Sequence, residues 1–249
     1  MDDSTTPPGT LIRRHAMATR IWHWVNAIAI FILIGSGLGI SNAHPHLYWG
    51  SYGANFDYSW FAPPHFPSWL TIPGQYNLAL SRRWHLFFAL VLAFGLLAFM
   101  IASLVNRHFQ RDMRVKAGDL KPRTLLRDIK EHLAFRFHDP AHPGAYNVLQ
   151  KLAYVAVIFV MLPLVVLTGL AISPGMDAAW PWLLQLFGGR QSARSIHFLC
   201  MGGISLFVVI HLILVILAGV GNELRSIITG RWRVPADTFD DTPAAEPAE

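Results

Sequence analysis

Four stretches of this chain are long, apolar and almost free of charge, and that restricts the folds open to it more than any other feature. They run from about Ile21 to Ser41, Trp84 to Val105, Leu149 to Ile172 and Ile196 to Val220. A helix needs ~20 mostly apolar residues to cross a bilayer, and each stretch supplies them. No Lys, Arg, Asp or Glu occurs between Arg83 and Asn106, nor between Lys151 and Asp177. A single buried charge costs roughly 3 kcal/mol even on lenient insertion scales, so such gaps mark lipid as the solvent. With no water to satisfy the backbone, only helices and closed barrels span membranes. The expected fold is therefore an all-α integral membrane bundle of four transmembrane helices. Only 14% of the 249 residues are charged, against about a quarter in soluble domains. Pro163 falls mid-way along the third block and should kink that helix.

Charge asymmetry between the connections sets the expected topology. The segment 42–81 has one acid, Asp57, and no Lys or Arg. The segment 106–147 carries Arg107, Arg111, Arg114, Lys116, Lys121, Arg123, Arg127, Lys130 and Arg136. Arg13, Arg14 and Arg20 precede the first block, and Arg225, Arg231 and Arg233 follow the last. Positive residues stay on the cytoplasmic side, which puts both termini and the basic loop inside and the 42–81 loop outside. A spanning domain over 12–233 is then flanked by an N-terminal segment, 1–11, and an acidic Ala/Pro-rich tail, 234–249, both expected to be disordered. No cleavable signal peptide is expected, since the N-terminus is acidic and Pro-rich and the first block is long. The formal charge of +5 follows from these flanks and does not call for nucleic acid. The single cysteine, Cys200, excludes an intrachain disulfide and a cysteine-based zinc or iron–sulfur site.

The chain has twelve histidines, of which His23, His85, His197 and His211 lie in the apolar blocks. An ionisable residue inside a spanning helix is a functional candidate by default; the plain alternative is a histidine bonded to a neighbouring carbonyl. Depth separates the two readings. His85 and His197 each fall in the first turn of a helix entering from outside. His211 lies 14 residues beyond His197, ~21 Å deeper at 1.5 Å per residue. His23 lies 18 residues before Ser41 on the outward-running first helix, ~27 Å from the outer edge. The histidines thus form an outer pair, His85 with His197, and an inner pair, His23 with His211. Two stacked haems with two imidazole ligands each require this arrangement. Attachment is expected to be non-covalent, because no Cys-x-x-Cys-His is present.

Three of these histidines follow an arginine at i−3: Arg20, Arg82 and Arg194. Residues three apart share a helix face, and each arginine would lie between its haem and the adjacent water, where propionates need cations. Ordinary snorkelling at helix ends is the alternative. His15 ranks below His23 as a ligand because it precedes the apolar block. The remaining histidines, including His44, His46, His65, His108, His132, His138 and His142, read as loop residues. Two other functions stay open: a histidine-lined transporter of protons or a divalent metal, and a haem-free membrane anchor for a partner enzyme. The aromatic residues of the outer loop, Trp49, Tyr52, Phe56, Tyr58, Trp60, Phe61, Phe66 and Trp69, suit either a partner contact or a cap in the headgroup region.

Arg20-x-x-His23-Trp24, His85 opening the second helix, and the His197/His211 pair in the fourth resemble the bacterial dihaem cytochrome b membrane subunits of nickel–iron hydrogenases, formate dehydrogenases and thiosulfate-reductase-like enzymes. Tyr146-Asn147-x-x-Gln150-Lys151 looks like the segment before the third helix of formate dehydrogenase gamma subunits. The likeness covers roughly 12–230. The outer loop, with Asn42-Ala43-His44-Pro45 and Tyr48-Trp49-Gly50, departs from hydrogenase subunits and looks closer to cytochromes encoded beside periplasmic molybdopterin oxidoreductases. The resemblance implies a multi-pass protein of the bacterial inner membrane with two haems b. It implies electron exchange of the inner haem with quinone or quinol and of the outer haem with a periplasmic redox subunit, such as a molybdopterin oxidoreductase. It also places Asn147 and Gln150 at the quinone, where a polar helix cap is the alternative.

Overall fold

A computed structural model of the chain describes residues 9–54, 56–105, 121–133 and 148–234. In chain order its helices are α1 (Met17–Ala43), α2 (Leu78–Val105), α3 (Pro122–Leu133), α4 (Val148–Ile172), α5 (Pro174–Ala179), α6 (Pro181–Leu186), α7 (Arg190–Leu217) and α8 (Val220–Thr229). Four of them, α1, α2, α4 and α7, are long and apolar enough to cross a membrane, so the chain is the four-span, all-α membrane protein its apolar blocks require. Two short strands, β1 (Leu11–Arg13) and β2 (Arg231–Arg233), pair antiparallel. The expected disorder of 1–8 and 235–249, most of the basic 106–147 loop and the candidate Asn147 lie outside the described residues.

The outward faces of the spans are apolar. Phe94, Leu97 and Ile101 on α2 and Leu206, Val209 and Ile213 on α7 are all more than half exposed or close to it. Only 11% of the most apolar window of α7 is buried within the chain. Contiguous apolar surface of this extent is not sustained in water; lipid covers it.

The described chain falls into two compact units. One comprises residues 24–101 and 155–210: most of α1 and α2, the connection between them, most of α4, then α5, α6 and most of α7. Ala171, Leu183 and Ala193 form a buried cluster there, with Leu170, Ile172, Leu184 and Phe187 packed on it. Arg190 ties the end of α4 to the start of α7, donating to the Ile172 carbonyl and pairing with Asp177, both at 2.7 Å. The α1–α2 connection is built from turns. Leu47 and Phe61 make an isolated bridge, and the Asn42 side-chain amide closes on both backbone groups of Phe66 at 2.8 Å. Close approach of elements falls on glycines of α1: a Cβ at Gly39 would stand 2.5 Å from the Ser81 hydroxyl of α2.

Pro163 acts as expected of a proline inside a span. Its ring cannot donate to the carbonyl four residues back and would clash with it. The chain answers with a π-helical turn over Ala156–Met161, immediately before Leu162 and Pro163, in which the Leu162 N–H reaches back to Val157. The extra residue takes up the misfit, and regular α-helix resumes to Ile172.

The other unit comprises residues up to 23, 102–154 and from 211 onward. Here the two ends of the spanning region meet. Ile12 pairs with Trp232 and Arg13 with Arg231 in the β1–β2 ladder, which Gly9, Thr10 and Val234 prolong. Ordered pairing thus reaches the inner margins of both flanking segments, because the fully buried Trp232 and Val234 need a partner surface. Glu223 on α8 receives the Arg14 guanidinium at 3.2 Å and the Trp232 indole N–H at 3.0 Å. Arg14 also lies 5.1 Å over the Trp232 ring.

Candidate functional site

His85 on α2 and His197 on α7 come together in the first unit. Their ring centres are 6.1 Å apart and their planes tilted by 59°. A metal lies about 2 Å from an imidazole nitrogen and the ring centre about 1.1 Å behind that nitrogen, so two imidazoles on opposite sides of one iron put their centres about 6 Å apart. The spacing fits a six-coordinate haem iron.

Each ring is held from behind by a hydroxyl. Ser36 Oγ on α1 is 3.0 Å from His85 Nδ1, and Thr168 Oγ1 on α4 is 3.1 Å from His197 Nδ1. Both hydroxyls are fully buried. A glycine follows each hydroxyl residue. A Cβ at Gly37 would stand 3.5 Å from His85 Cε1, and one at Gly169 only 3.3 Å from His197 Cε1. Sequence reading missed Ser36 and Thr168, since lone hydroxyls are common in apolar helices. The signal that would have found them is the repeated hydroxyl–glycine doublet, Ser36-Gly37 and Thr168-Gly169, in two otherwise apolar spans.

Of the arginines on this unit, Arg194 donates to the His44 backbone carbonyl, and Arg82 is exposed at the start of α2. Next to Arg194, Ser195 is buried; it donates to the Tyr48 carbonyl at 2.6 Å and accepts the Trp60 indole N–H at 3.0 Å. Trp60 stacks on Trp49 at 5.4 Å, and Phe61 packs on Phe198, the residue after His197, at 5.9 Å. The aromatic connection is thereby fastened to the turn of α7 that carries His197. Its other rings, Tyr52, Phe56, Tyr58 and Trp69, stand exposed.

His23 on α1 and His211 on α7 come together in the second unit, with ring centres 6.4 Å apart and planes at 56°. This is again the separation that one iron between two imidazoles needs. Arg20 lies one turn before His23 and donates through one guanidinium nitrogen to the Ile228 carbonyl, while its buried Nε has no hydrogen-bond partner among the described residues. A buried N–H left in that state costs about 1–3 kcal/mol, and a carboxylate such as a haem propionate would relieve it. Gln150 lies half-buried in the first turn of α4. That turn is anchored by the buried Asp128 of α3, which accepts the Leu149 N–H at 2.8 Å.

Residues 14–230 match the family model for prokaryotic cytochrome b561. Among individual proteins, the chain is similar to YedZ1 of Azospira oryzae, named as a subunit of a protein-methionine-sulfoxide reductase. The two are 28% identical over 216 residues, 87% of this chain and 96% of that protein. It is 25% identical over 237 residues to a protein of Azotobacter vinelandii named as a B-type cytochrome subunit of a Ni/Fe-hydrogenase, covering 89% of this chain and 88% of the relative. A Cupriavidus necator protein with the same naming is 25% identical over 225 residues, 86% of this chain and 80% of the relative. No solved structure matches the chain significantly.

Proposed function

The chain belongs to the prokaryotic cytochrome b561 family of membrane haem proteins, and from that premise we propose that it is a dihaem b-type cytochrome. It carries electrons across the bacterial inner membrane between the quinone pool and a periplasmic oxidoreductase. One observation carries the reading: both intramembrane histidine pairs have ring centres 6.1 and 6.4 Å apart, the spacing at which two imidazoles could hold one iron between them.

Haem b, when bound, supplies one-electron chemistry; the protein sets its position and potential. The work of the chain is then to hold imidazoles, exclude water and place cations. His85 and His197 would hold the outer haem, His23 and His211 the inner one. Arg20, whose Nε has no partner among the described residues, would meet a propionate of the inner haem, and Arg82 and Arg194 would serve the outer one. With both termini cytoplasmic, Gln150 falls at the inner level, where quinone or quinol would exchange electrons and where the family resemblance also assigns Asn147; the anchoring of α4 by Asp128 keeps Gln150 in place there. The exposed rings of the outer connection form the contact for a periplasmic redox subunit. A relative named as a subunit of a methionine-sulfoxide reductase and others named for hydrogenases fit a partner enzyme outside the membrane, and a molybdopterin oxidoreductase is the class we favour.

A pyridine haemochrome assay on the purified chain tests the reading. Two haems b per polypeptide are expected. One or none would overturn it, and a chain with no haem spectrum would return the anchor and transporter readings.

A further inference from the structure

We propose that Ser36 and Thr168 are matched positioning residues that fix the tautomer and tilt of the outer imidazoles, and so set both the grip on the outer haem and its potential. This deepens the dihaem reading and rests on it.

The argument begins with proton counting. A hydroxyl has one proton to give. Ser36 gives its proton to the Ile32 carbonyl at 2.7 Å, with Leu33 as a weaker second acceptor at 3.2 Å. Thr168 does the same to Leu164 at 2.7 Å and Val165 at 3.2 Å. Each hydroxyl therefore meets its histidine as an acceptor. The ring nitrogen facing it, Nδ1 in both cases, must carry the hydrogen. Nε2 is then the nitrogen with a lone pair to donate to iron. Both hydroxyl residues are 0% exposed, so no water can take over the role.

The two arrangements are copies on different helices. In each, the hydroxyl bonds back to the carbonyl four residues earlier, the next residue is a glycine, and that glycine leaves space against the same imidazole, at Cε1. The same arrangement thus recurs with a serine on α1 and a threonine on α4. A metal-bound histidine ordinarily gives its second N–H to an outer acceptor, which orients the ring and raises its basicity. A more basic ligand favours ferric iron, so loss of the acceptor should raise the midpoint potential.

The test uses the detergent-purified full chain and the variants Ser36→Ala, Thr168→Val and Thr168→Ser. Titration with haem b, potentiometry and low-temperature electron paramagnetic resonance are the readouts; the last follows the angle between axial ligand planes. Ser36→Ala and Thr168→Val should each weaken outer-haem binding about 10- to 100-fold, raise the potential of that component and shift its resonance line. The inner component should stay in place. Thr168→Ser, which keeps the oxygen, should restore all three. The inference is overturned if Ser36→Ala and Thr168→Val leave all three readouts at parental values, or if Thr168→Ser fails as Thr168→Val does. Failure of the underlying reading looks different: the parent chain itself would then lack the haem component that His85→Ala removes.

Discussion

The imidazoles of His85 and His197 face one another across 6.1 Å with their planes turned by 59°. Two imidazoles held on one iron would have their centres at about this separation. The same relation recurs between His23 and His211 at 6.4 Å.

The first prediction follows from the pairing. His85→Ala and His197→Ala should remove the same redox component, and His23→Ala and His211→Ala the other. Potentiometric titration of the four variants checks this. Loss of one component by both His85→Ala and His211→Ala would break the pairing.

Arg20 predicts a shift in potential. Its buried Nε lacks a partner among the described residues, and a positive charge beside a propionate favours the reduced haem. Arg20→Gln should lower the potential of the component lost in His23→Ala and leave the other in place. Equal potentials in parent and variant would remove Arg20 from the haem's surroundings.

The two glycines predict unequal sensitivity. A methyl at Gly169 would press on His197 at 3.3 Å, whereas one at Gly37 would reach ordinary contact with His85 at 3.5 Å. Gly169→Ala should therefore reduce outer-haem occupancy several-fold, and Gly37→Ala should cost less, on the scale of small overpacking penalties of about 1–3 kcal/mol. Haem content at limiting haem supply ranks the two, and the reverse order would contradict the geometry.

The outer connection predicts a separation between binding haem and meeting a partner. Replacing the exposed Tyr52, Phe56 and Tyr58 by serine should slow electron exchange with the partner while both haems remain. Normal turnover in that variant would leave these rings as a cap lying in the headgroups. Ser195→Ala should act differently. It strands the Trp60 indole N–H and should loosen the connection by about 1–3 kcal/mol, read as faster proteolysis between Tyr48 and Phe61.

At the chain ends, Glu223→Ala should remove the acceptor that Arg14 and the Trp232 indole share. Their partial burial, with 11 and 18% side-chain exposure for the ion pair, puts the cost at about 2 kcal/mol, below the 3–5 kcal/mol of a fully buried pair. Hydrogen exchange at Ile12 and Trp232 should speed up accordingly.

The spans were legible because lipid imposes one rule over twenty residues at a time, and no tertiary contact can override it. The family was legible from Arg20-x-x-His23-Trp24 and the His197/His211 spacing, since a helix turns a fixed residue interval into a fixed rise and face. The β1–β2 ladder was not, because three-residue strands carry no period and their partners lie at opposite ends of the chain. In α3, Leu125, Ile129 and Leu133 stand at helical spacing, yet the surrounding lysines and arginines made the segment read as a basic loop. Ser36 and Thr168 were hidden for another reason: a hydroxyl that bonds its own helix looks the same in sequence whether or not an imidazole also leans on it.

The π-turn before Pro163 has a consequence for how the chain tolerates insertions and deletions. Thr168 and Gly169 lie beyond that turn, and the surplus residue is absorbed within it. Deleting one residue from Ala156–Met161 would return the span to regular α-helix and keep the facing of Thr168, at the expense of setting the Pro163 ring against a carbonyl again. Deleting one from the regular helix between Pro163 and Thr168 would instead turn Thr168 by about 100° and take the acceptor away from His197. The turn is thus a place where α4 can change length by one residue without losing that acceptor, and length polymorphism in the span should gather there.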